Sequence, residues 1–585
     1  MSKWNLTGIY KNHDEFIKDL KSLDEDIKYF LALKGKLNNL DTVADYYEHD
    51  EALGKKIERI YVYASMNYDL NQKDNERLKD YNMVYEKYSD LIAKTSFITP
   101  ELIANGSEKF AAWIKENKIL EENAYNIKKM FRSQKHVFDA KLEYIMANYQ
   151  TALGGYSQMY DALAVADNNS SIVKISTGEE LEINESNFRY YLGILKNQDD
   201  RRLVFEAVFK FYYNHKNTFA ALYKGIMQSD LATVKNRKYD SILDSYLEKN
   251  AIPVSVYESL ITATKKYSEP IKRYYKIRAK YFGIEKTHTY DRFLDFATSN
   301  KKYNYAESKK MVLEAMEEFN KEFALKCKSV LEDGRVDSEI ADGKRTGAYS
   351  TSIYENGPFI LLNHSGTLDD AFTIAHEAGH SMHTLFSNEN QPYATANYVI
   401  FVAEIASTFN EQIFLDYMLR HSKDKNEKLS LVAQAIDGLL ATFYRQALFA
   451  DYEYQVSKRV ENGLSVTASD LCKIMHDLYW DYYEIDLNDE PYKDCVWAYI
   501  PHLFHSPFYV YQYATSYASS LALYQNVKEG KPNAYEKYIG LLKSGGSDDP
   551  VELVAKAGVD LTKTDAFMAV VDRLNELLDE LEKLI

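Results

Sequence analysis

The chain has 585 residues, which exceeds the size of a single hydrophobic core, so we expect two or more lobes. Its formal net charge of −16 disfavours nucleic acids and anionic membrane surfaces as partners, because like charges repel. No apolar run reaches the roughly 18 residues that a membrane span requires, and residues 1–7 lack the apolar core of a signal peptide.

Long stretches without Pro or Gly predict a mainly α fold. Only 10 prolines occur in the whole chain, and apolar residues recur at helical spacing among Glu and Lys. In chain order, the predicted helices are Asp14–Leu33, Thr42–Asn67, Asp74–Thr95, Pro100–Lys115, Ser255–Tyr281, Tyr305–Leu331, Lys428–Val460, Thr467–Tyr483 and Asp565–Leu584. We interpret their charged faces as solvated surface.

A first interruption of the helices lies at residues 170–183. Apolar and polar side chains alternate there around Ser176-Thr177-Gly178, which predicts a β-hairpin near 170–184. The hairpin and the polar segment after it indicate a domain boundary near residue 190. We therefore predict a helical N-terminal lobe at 1–190 and a larger domain at 191–585.

A second interruption lies at residues 337–364, where three glycines and a proline stand between β-leaning runs. This pattern predicts a small sheet just ahead of the helix described next. A strand edge at Gly347, Ala348 and Tyr349 could hold an extended peptide through main-chain hydrogen bonds. A structural ribbon without a ligand is the alternative.

His376, Glu377 and His380 form the pattern H-E-x-x-H. No Pro interrupts residues 368–386, so a helix is predicted there, and residues four apart share one face of a helix. Two imidazoles on that face can bind one zinc ion, and Glu377 can then take a proton from metal-bound water. A chance match is the alternative, so the rest of a zinc site must also be present.

A catalytic zinc needs a third protein ligand and one open position. Glu404 follows in an apolar helical stretch after a polar loop, where a buried carboxylate is costly without a cation. His383 is the competing ligand because it faces roughly the same way as His376 and His380, although a second helix supplies the missing direction better. Glu411, about two turns after Glu404, is a candidate for orienting a ligand histidine.

The last polar group, which we call the His/Tyr cluster, consists of His502, His505, Tyr509 and Tyr513. From His505 onward, residues four apart form one stripe that extends to Tyr517 if the segment is a helix. A phenol or an imidazole N–H can stabilise the negative charge that develops on a carbonyl oxygen during peptide hydrolysis. An aromatic stripe in the core is the alternative.

These motifs resemble a known family. The run H-E-A-G-H-S-M-H at 376–383, followed by A-E-I-A-S-T-F-N-E at 403–411, is similar to the thimet-oligopeptidase family of zinc metallopeptidases. Within that family it resembles the oligoendopeptidase F subfamily. Further stretches that fit this subfamily are 156–163, 347–352, 358–363 and 505–515, so the resemblance covers most of the chain.

The resemblance implies a two-lobed, largely helical shell around a deep substrate channel, with a small β-sheet next to the zinc helix. It implies that residues 191–585 form the catalytic metallopeptidase domain and that a His and Tyr cluster faces the metal. In the family pattern, glycines precede the tyrosines of this cluster. This chain has Ser506-Pro507 at the equivalent place.

The sequence therefore predicts a zinc endopeptidase that acts on short, unfolded peptides. One Zn²⁺ per chain is expected on His376, His380 and Glu404, and Glu377 is expected to activate the metal-bound water that attacks the scissile carbonyl. Gly379, which has no side chain, either lets the facing helix pack closely at the metal or is incidental.

Two other functions stay open at this point. A peptidyl-dipeptidase or carboxypeptidase needs a group that binds the terminal carboxylate of its substrate, and Arg345 or Lys344 is available for this role. A non-catalytic peptide-binding or zinc-scaffold protein is disfavoured, because such a protein would be expected to lack the base Glu377.

The cysteines predict the compartment. Cys327, Cys472 and Cys495 are odd in number and far apart in sequence, which argues against a disulfide framework and favours a reducing compartment. We therefore expect a cytoplasmic enzyme. The pair Cys472 and Cys495 is expected to be two buried thiols rather than a metal site or a nucleophile.

Overall fold

Most of the chain is helical. The computed structural model describes residues 2–138, 142–143, 145–146, 149, 153–297 and 301–585, with 72 % helix and 3 % strand. The mainly α fold class is therefore confirmed. None of the described helices is both long and apolar enough to cross a membrane.

Two compact units make up the structure, and each consists of three separated stretches of chain. Unit 1 comprises Met1–Lys141, Asn300–Tyr417 and Asn526–Gly558. Unit 2 comprises Leu142–Ser299, Met418–Gln525 and Val559–Ile585. The stretches of the two units alternate along the chain. The boundary near residue 190, which divides the chain into 1–190 and 191–585, stays a prediction.

Unit 1 contains the N-terminal helices and the H-E-x-x-H helix. One buried cluster joins helices and sheet, because Ile353 and Phe359 of the sheet belong to the same core as Phe16 and Ile60 of the N-terminal helices. The helices of unit 1 are His13–Ala32, Leu40–Leu70, Asn75–Thr95, Ile98–Ile103, Ser107–Glu116, Lys118–Glu122, Ala124–Ser133, Tyr305–Phe319, Lys321–Val330, Leu368–Asn390, Tyr393–Ala396, the greater part of Ile400–His421, Ala534–Lys543 and Pro550–Lys556.

Unit 2 is also helical and contains the His/Tyr cluster. Its core is rich in aromatic residues; Tyr160, for example, stacks on Phe504 with 4.1 Å between the ring centroids. The helices of unit 2 are Gly155–Asp161, Phe188–Ile194, Gln198–Asn214, Lys216–Arg237, Ile242–Leu247, Val254–Lys266, Glu269–Phe282, Lys425–Leu439, Arg445–Glu461, Ala468–Tyr483, His502–His505, the greater part of Tyr511–Lys528, and Met568–Leu584.

Four predicted helices are each two α-helices in the structure: residues 100–115, 255–281, 305–331 and 428–460. In the last of these, a π-helical turn at Leu440–Tyr444 separates the two α-helices. Gly106 breaks the first because it adopts φ of +82°, a backbone region that favours glycine. In the second, Pro270 lies in the first turn of the new helix Glu269–Phe282, where a proline is tolerated because the N–H that it lacks would be unpaired anyway. Asn320 divides the third, and its side chain accepts a hydrogen bond from the Phe323 N–H to cap the next helix.

Two small sheets interrupt the helices where the sequence predicts them. Strands β1 (Ser171–Lys174) and β2 (Glu180–Ile183) form an antiparallel hairpin. Strands β3 (Val336–Asp337), β4 (Tyr349–Ile353) and β5 (Gly357–Leu361) form a second sheet in the order β3-β5-β4. Strand β4 therefore lies at an edge of this sheet, just ahead of the H-E-x-x-H helix in the chain.

Candidate metal centre and active site

The H-E-x-x-H motif lies on the helix Leu368–Asn390. Thr367 and Asp370 form a capping box at its start: the Thr367 hydroxyl accepts from the Asp370 N–H, and the Asp370 carboxylate accepts from the Thr367 N–H. These bonds satisfy backbone donors that a helix start leaves unpaired. The helix predicted from the spacing of the motif is thus confirmed.

Gly379 allows a second helix to approach the motif. A Cβ atom at this position would lie 2.5 Å from the Ala406 carbonyl oxygen and 2.6 Å from the Ser407 Cα atom. Any side chain would therefore displace the helix Ile400–His421, which carries Glu404. Close helix packing, and not chance, explains a glycine here.

Three side chains from the two helices converge on one point. Nε2 of His376 and Nε2 of His380 are 3.1 Å apart, and Oε2 of Glu404 is 3.4 Å from each of them. Ligand atoms held ~2.05 Å from a tetrahedral zinc ion lie ~3.3 Å apart. The spacing of these three atoms, which we call the ligand group, therefore fits a zinc ion.

The three side chains of the ligand group are partly exposed. The side chains of His376, His380 and Glu404 retain 26 %, 19 % and 22 % of their exposed surface. Structural zinc sites close all four positions with protein ligands, whereas catalytic sites keep one position for water or substrate. Three ligands with residual exposure correspond to the catalytic arrangement.

Glu411 orients the first histidine. Its Oε1 atom lies 2.6 Å from Nδ1 of His376, so a proton on Nδ1 leaves the lone pair of Nε2 directed at the ligand group. Burial alone would lower the pKa of His376, but the hydrogen bond with Glu411 and the charges of the nearby carboxylates raise it to about 9. This contact agrees with the role predicted for Glu411.

The surroundings of Glu404 favour its ionised form, which is the form that binds a metal. Burial alone would raise the pKa of Glu404, but a hydrogen bond with His380 and the charges of His380 and His376 lower it to about 2. The Ser407 hydroxyl also donates to Oε2 of Glu404 over 2.9 Å.

Glu377 is buried beside the ligand group with one oxygen uncommitted. The residue is 6 % exposed, and its Oε2 atom has no hydrogen-bond partner among the described residues. Burial raises the pKa of Glu377, which moves it toward the range where a carboxylate works as a base near neutral pH. An available carboxylate oxygen here suits proton transfer.

His383 does not join the ligand group. Its ring stacks on Tyr398 with 3.7 Å between the centroids and 10° between the planes, and it is 1 % exposed. Burial lowers the pKa of His383 to about 3, so the ring is neutral. The stacking explains why this histidine turns away from its neighbours on the same helix.

In unit 2, the continuous helix on which the predicted stripe through the His/Tyr cluster depends is interrupted at residues 506–510. The helix His502–His505 ends before Pro507, and a new helix begins only at Tyr511. Within the cluster, the ring centroids of His502 and Tyr509 are 6.0 Å apart and those of Tyr509 and Tyr513 are 5.4 Å apart. A bend in the chain therefore brings these three partly exposed rings together.

His505 has different neighbours from the other members of the cluster. Its Nε2 atom is 2.9 Å from Oδ1 of Asp161, and its ring meets Tyr160 edge to face. Asp161 lies in the segment 156–163, which fits the oligoendopeptidase F pattern. The structure therefore connects two motifs that are distant in sequence.

A buried carboxylate that sequence reasoning missed holds the bend. Glu453 is 1 % exposed, and its Oε1 atom accepts a hydrogen bond from the Phe508 N–H over 2.6 Å. Phe508 has φ of +56°, which is strained for a residue with a side chain. Nothing in the sequence links Glu453 to Phe508, because 55 positions separate them.

The predicted substrate edge leads into a strand at the edge of its sheet, but two of its polar groups already have hydrogen-bond partners within the chain. Gly347 and Ala348 precede β4, and Tyr349 begins it. The Gly347 carbonyl accepts a hydrogen bond from Asn363, and the Tyr349 hydroxyl donates to Asp69. A role of this edge in peptide binding stays a prediction.

The two basic residues proposed for an exopeptidase differ in their accessibility to a substrate. The Lys344 ammonium is buried and contacts Asp337 Oδ1 together with the carbonyl oxygens of Asp337, Glu339 and Leu362. It therefore cannot bind a substrate carboxylate. Arg345 is 54 % exposed and pairs with Asp69 at 3.4 Å, so it alone of the two is accessible.

Comparisons with known proteins identify the family of the chain. A model of peptidase family M3 matches residues 194–572, and a model described as Oligopeptidase F matches residues 101–169. Oligopeptidase PepF of Bacillus subtilis is 31 % identical over 585 residues, covering 100 % of this chain and 87 % of its own. An oligoendopeptidase F homolog of Lactococcus lactis is 31 % identical, covering 100 % of this chain and 97 % of its own.

Solved structures agree as well. Oligoendopeptidase-F from Enterococcus faecium superposes with a TM-score of 0.75 at 26 % identity, covering 98 % of this chain and 99 % of its own. A chain described as a peptidase of Chlamydophila abortus superposes with a TM-score of 0.93 at 30 % identity, covering 100 % of this chain and 98 % of its own.

Proposed function

The chain belongs to peptidase family M3, and we propose that it is a zinc-dependent endopeptidase that hydrolyses short, unfolded peptides. The observation that carries this proposal is the ligand group, in which Nε2 of His376, Nε2 of His380 and Oε2 of Glu404 lie 3.1 to 3.4 Å apart. The donor set, two imidazoles and one carboxylate, is one that zinc prefers.

One zinc ion per chain is the proposed cofactor. Bound to the ligand group, Zn²⁺ supplies Lewis-acid chemistry: it lowers the pKa of a water molecule from ~16 toward ~7 and polarises a carbonyl oxygen. Glu411 contributes by fixing the ring of His376 through Nδ1. Gly379 contributes by letting the helix that carries Glu404 reach the motif.

Glu377 is the proposed general base. It accepts the proton of the water that attacks the scissile carbonyl and then delivers it to the leaving amine. Two observations support this role: the Oε2 atom of Glu377 has no competing partner among the described residues, and burial raises the pKa of its carboxyl.

The His/Tyr cluster is the proposed site for the oxyanion and for substrate binding. His502, Tyr509 and Tyr513 are partly exposed and contact one another, and an imidazole N–H and a phenol O–H are groups that stabilise a negative oxygen by donating to it. His505 is engaged by Asp161, and we assign it to holding the segment 156–163.

The proposed substrate is an extended peptide. Strand β4 is an edge of its sheet, and pairing with Gly347, Ala348 and Tyr349 would hold a peptide backbone irrespective of its side chains. An enzyme that takes its substrate as an extended strand does not accept folded domains, whose unfolding costs ~5–15 kcal/mol.

An exopeptidase that holds the terminal carboxylate of its substrate is the second candidate, since Arg345 is accessible. A peptide of about ten residues with both ends blocked, carrying a fluorophore and a quencher, separates the two. The endopeptidase cuts it, loses activity with a zinc chelator, and leaves a stable folded protein intact while cutting fragments of that protein. An exopeptidase or a non-catalytic peptide-binding protein leaves the blocked peptide uncut.

We also propose a cytoplasmic location and no nucleic-acid or membrane partner. Support comes from the three cysteines, which are all buried free thiols, as expected in a reducing compartment. The net charge of −16 further disfavours polyanionic partners.

A further inference from the structure

Two of the three cysteines meet inside unit 2. Sγ of Cys472, on the helix Ala468–Tyr483, is 3.3 Å from Sγ of Cys495, on the 3-10 helix Lys493–Tyr499. Both are buried, with 7 % and 0 % of their surface exposed. The expectation of two buried thiols is confirmed, but their contact was not visible in the sequence.

Charged and polar groups around this pair favour one reactive thiolate. A hydrogen bond with Cys495 and the charge of the Lys216 ammonium lower the pKa of the Cys472 thiol against the opposing effects of burial and the Asp494 carboxylate. The pKa of Cys495 is raised by the same hydrogen bond and by burial. Cys472, the more exposed of the two, is therefore the nucleophile and Cys495 the resolving thiol.

We propose that Cys472 and Cys495 form a dithiol site that a hydroperoxide oxidises reversibly to an intrachain disulfide. Closing the bond requires the two sulfur atoms to move from 3.3 Å to the ~2.05 Å of a disulfide. Side-chain movement of about 1.3 Å provides this approach.

The reaction proceeds in two balanced steps. The Cys472 thiolate attacks one peroxide oxygen, the O–O bond breaks, and the second oxygen leaves with a proton as water, or as an alcohol from an organic hydroperoxide. The Cys495 sulfur then attacks the resulting sulfenic acid, the S–O bond breaks and a water molecule leaves. The two thiols lose two electrons, which reduce the peroxide, and an external dithiol reverses the reaction by exchange.

This site is placed to restrain the His/Tyr cluster. The 3-10 helix that carries Cys495 ends at Tyr499, and His502 begins the next helix three residues later. A disulfide would tie residues 484–501 to the helix Ala468–Tyr483. The segment that leads into the cluster then opens less often, because a covalent link removes conformations from it.

A metal site is the other chemistry that this group could have, since Cys472, Asp494 and Cys495 have ligand atoms within 4.8 Å of one another. The Lys216 ammonium acts on both sulfur atoms and would repel a bound cation. The Asp494 carboxylate also acts on both sulfur atoms, with the opposite sign, so the metal content of the reduced protein distinguishes the two chemistries.

Thiol counting and peptide mapping test the proposal on the full chain. Reduced protein should contain three thiols per denatured chain. After treatment with hydrogen peroxide one thiol should remain, non-reduced digests should contain a peptide pair linked through Cys472 and Cys495, and dithiothreitol should restore all three. Oxidised Cys472 without the linked peptide, or three remaining thiols, would overturn the proposal.

Variants sharpen this test. Cys327→Ser should still form the linked peptide and fall from two thiols to none, whereas Cys472→Ser should not form it. Metal in reduced wild-type protein that Cys472→Ser loses would instead identify a metal site and overturn the proposal. Hydrogen exchange of residues 484–501 should slow on oxidation and recover on reduction; unchanged exchange would refute the restraint.

Discussion

The ligand group of unit 1 and the His/Tyr cluster of unit 2 are organised by different forces. In the ligand group, polar atoms of the three side chains contact one another directly. Glu411 contacts Nδ1 of His376, and the Ser407 hydroxyl donates to Glu404, so hydrogen bonds from outside the group hold two of its members. In the cluster, aromatic rings 5 to 6 Å apart contact edge to face or in stacks. Directional bonds fix one geometry, whereas ring packing tolerates several.

The backbone that carries the side chains is also more regular in the ligand group than in the His/Tyr cluster. Gly379 lets two regular helices pack directly under the ligand group. The residues of the cluster instead lie on both sides of a bend at Phe508. The strained backbone of Phe508 is held by one hydrogen bond to Glu453. We infer that substitutions in the ligand group abolish function outright, while substitutions around the cluster have graded effects.

The largest effect is expected from Glu404→Ala. Removing one of three protein ligands should release the zinc and abolish peptide cleavage. His383→Ala is the matched control, because His383 stacks on Tyr398 outside the ligand group. Metal analysis after gel filtration should find one zinc per chain in the control and none in Glu404→Ala; the reverse result would make His383 the third ligand.

The next effect in size is that of Glu377→Gln. The amide keeps the shape of the side chain but cannot accept the proton of the attacking water, so kcat should fall by ~10³-fold or more. Zinc content should not change, since Glu377 is not in the ligand group. A variant that keeps a tenth of the wild-type rate would show that another group is the base.

The sequence predicts that the three side chains of the ligand group come together, and the structure places their ligand atoms within 4.8 Å of one another, because the pattern behind this prediction is local. His376 and His380 are one helical turn apart, and a burial argument on a nearby helix selects Glu404. The same reasoning fails at Phe508, because the stripe assumes a continuous helix and Pro507 and the Glu453 contact replace it with a bend. Contacts between distant positions, such as Cys472 with Cys495, leave no periodic pattern in one sequence.

A smaller, graded effect is expected from Tyr513→Phe. Loss of one hydroxyl that donates to the oxyanion should lower kcat by ~10²–10³-fold without zinc loss. Tyr511→Phe is the control on the same helix, because Tyr511 is buried against Tyr257. Equal kinetic constants for both variants would remove Tyr513 from the oxyanion site.

The smallest effect on activity is expected from Glu453→Gln, which keeps an acceptor for the Phe508 N–H. Burial raises the pKa of Glu453 to about 8, so the stability that this carboxyl contributes is full below its unfolded pKa of ~4.3 and is lost as the pH rises through 8. Thermal unfolding midpoints of wild type and variant should therefore diverge between pH 5 and pH 9, with the variant favoured at high pH. If the difference between the two unfolding midpoints does not change with pH, the carboxyl of Glu453 is not the group that titrates in this range.

The central claim is that the metal lies on the H-E-x-x-H helix of unit 1. X-ray absorption at the zinc edge of the wild-type protein tests this directly, because the two groups of potential ligands among the described residues differ in their atoms. The ligand group predicts nitrogen and oxygen neighbours at ~2.0–2.2 Å and no sulfur. Sulfur scattering at ~2.3 Å would place the zinc on Cys472 and Cys495 and contradict the account.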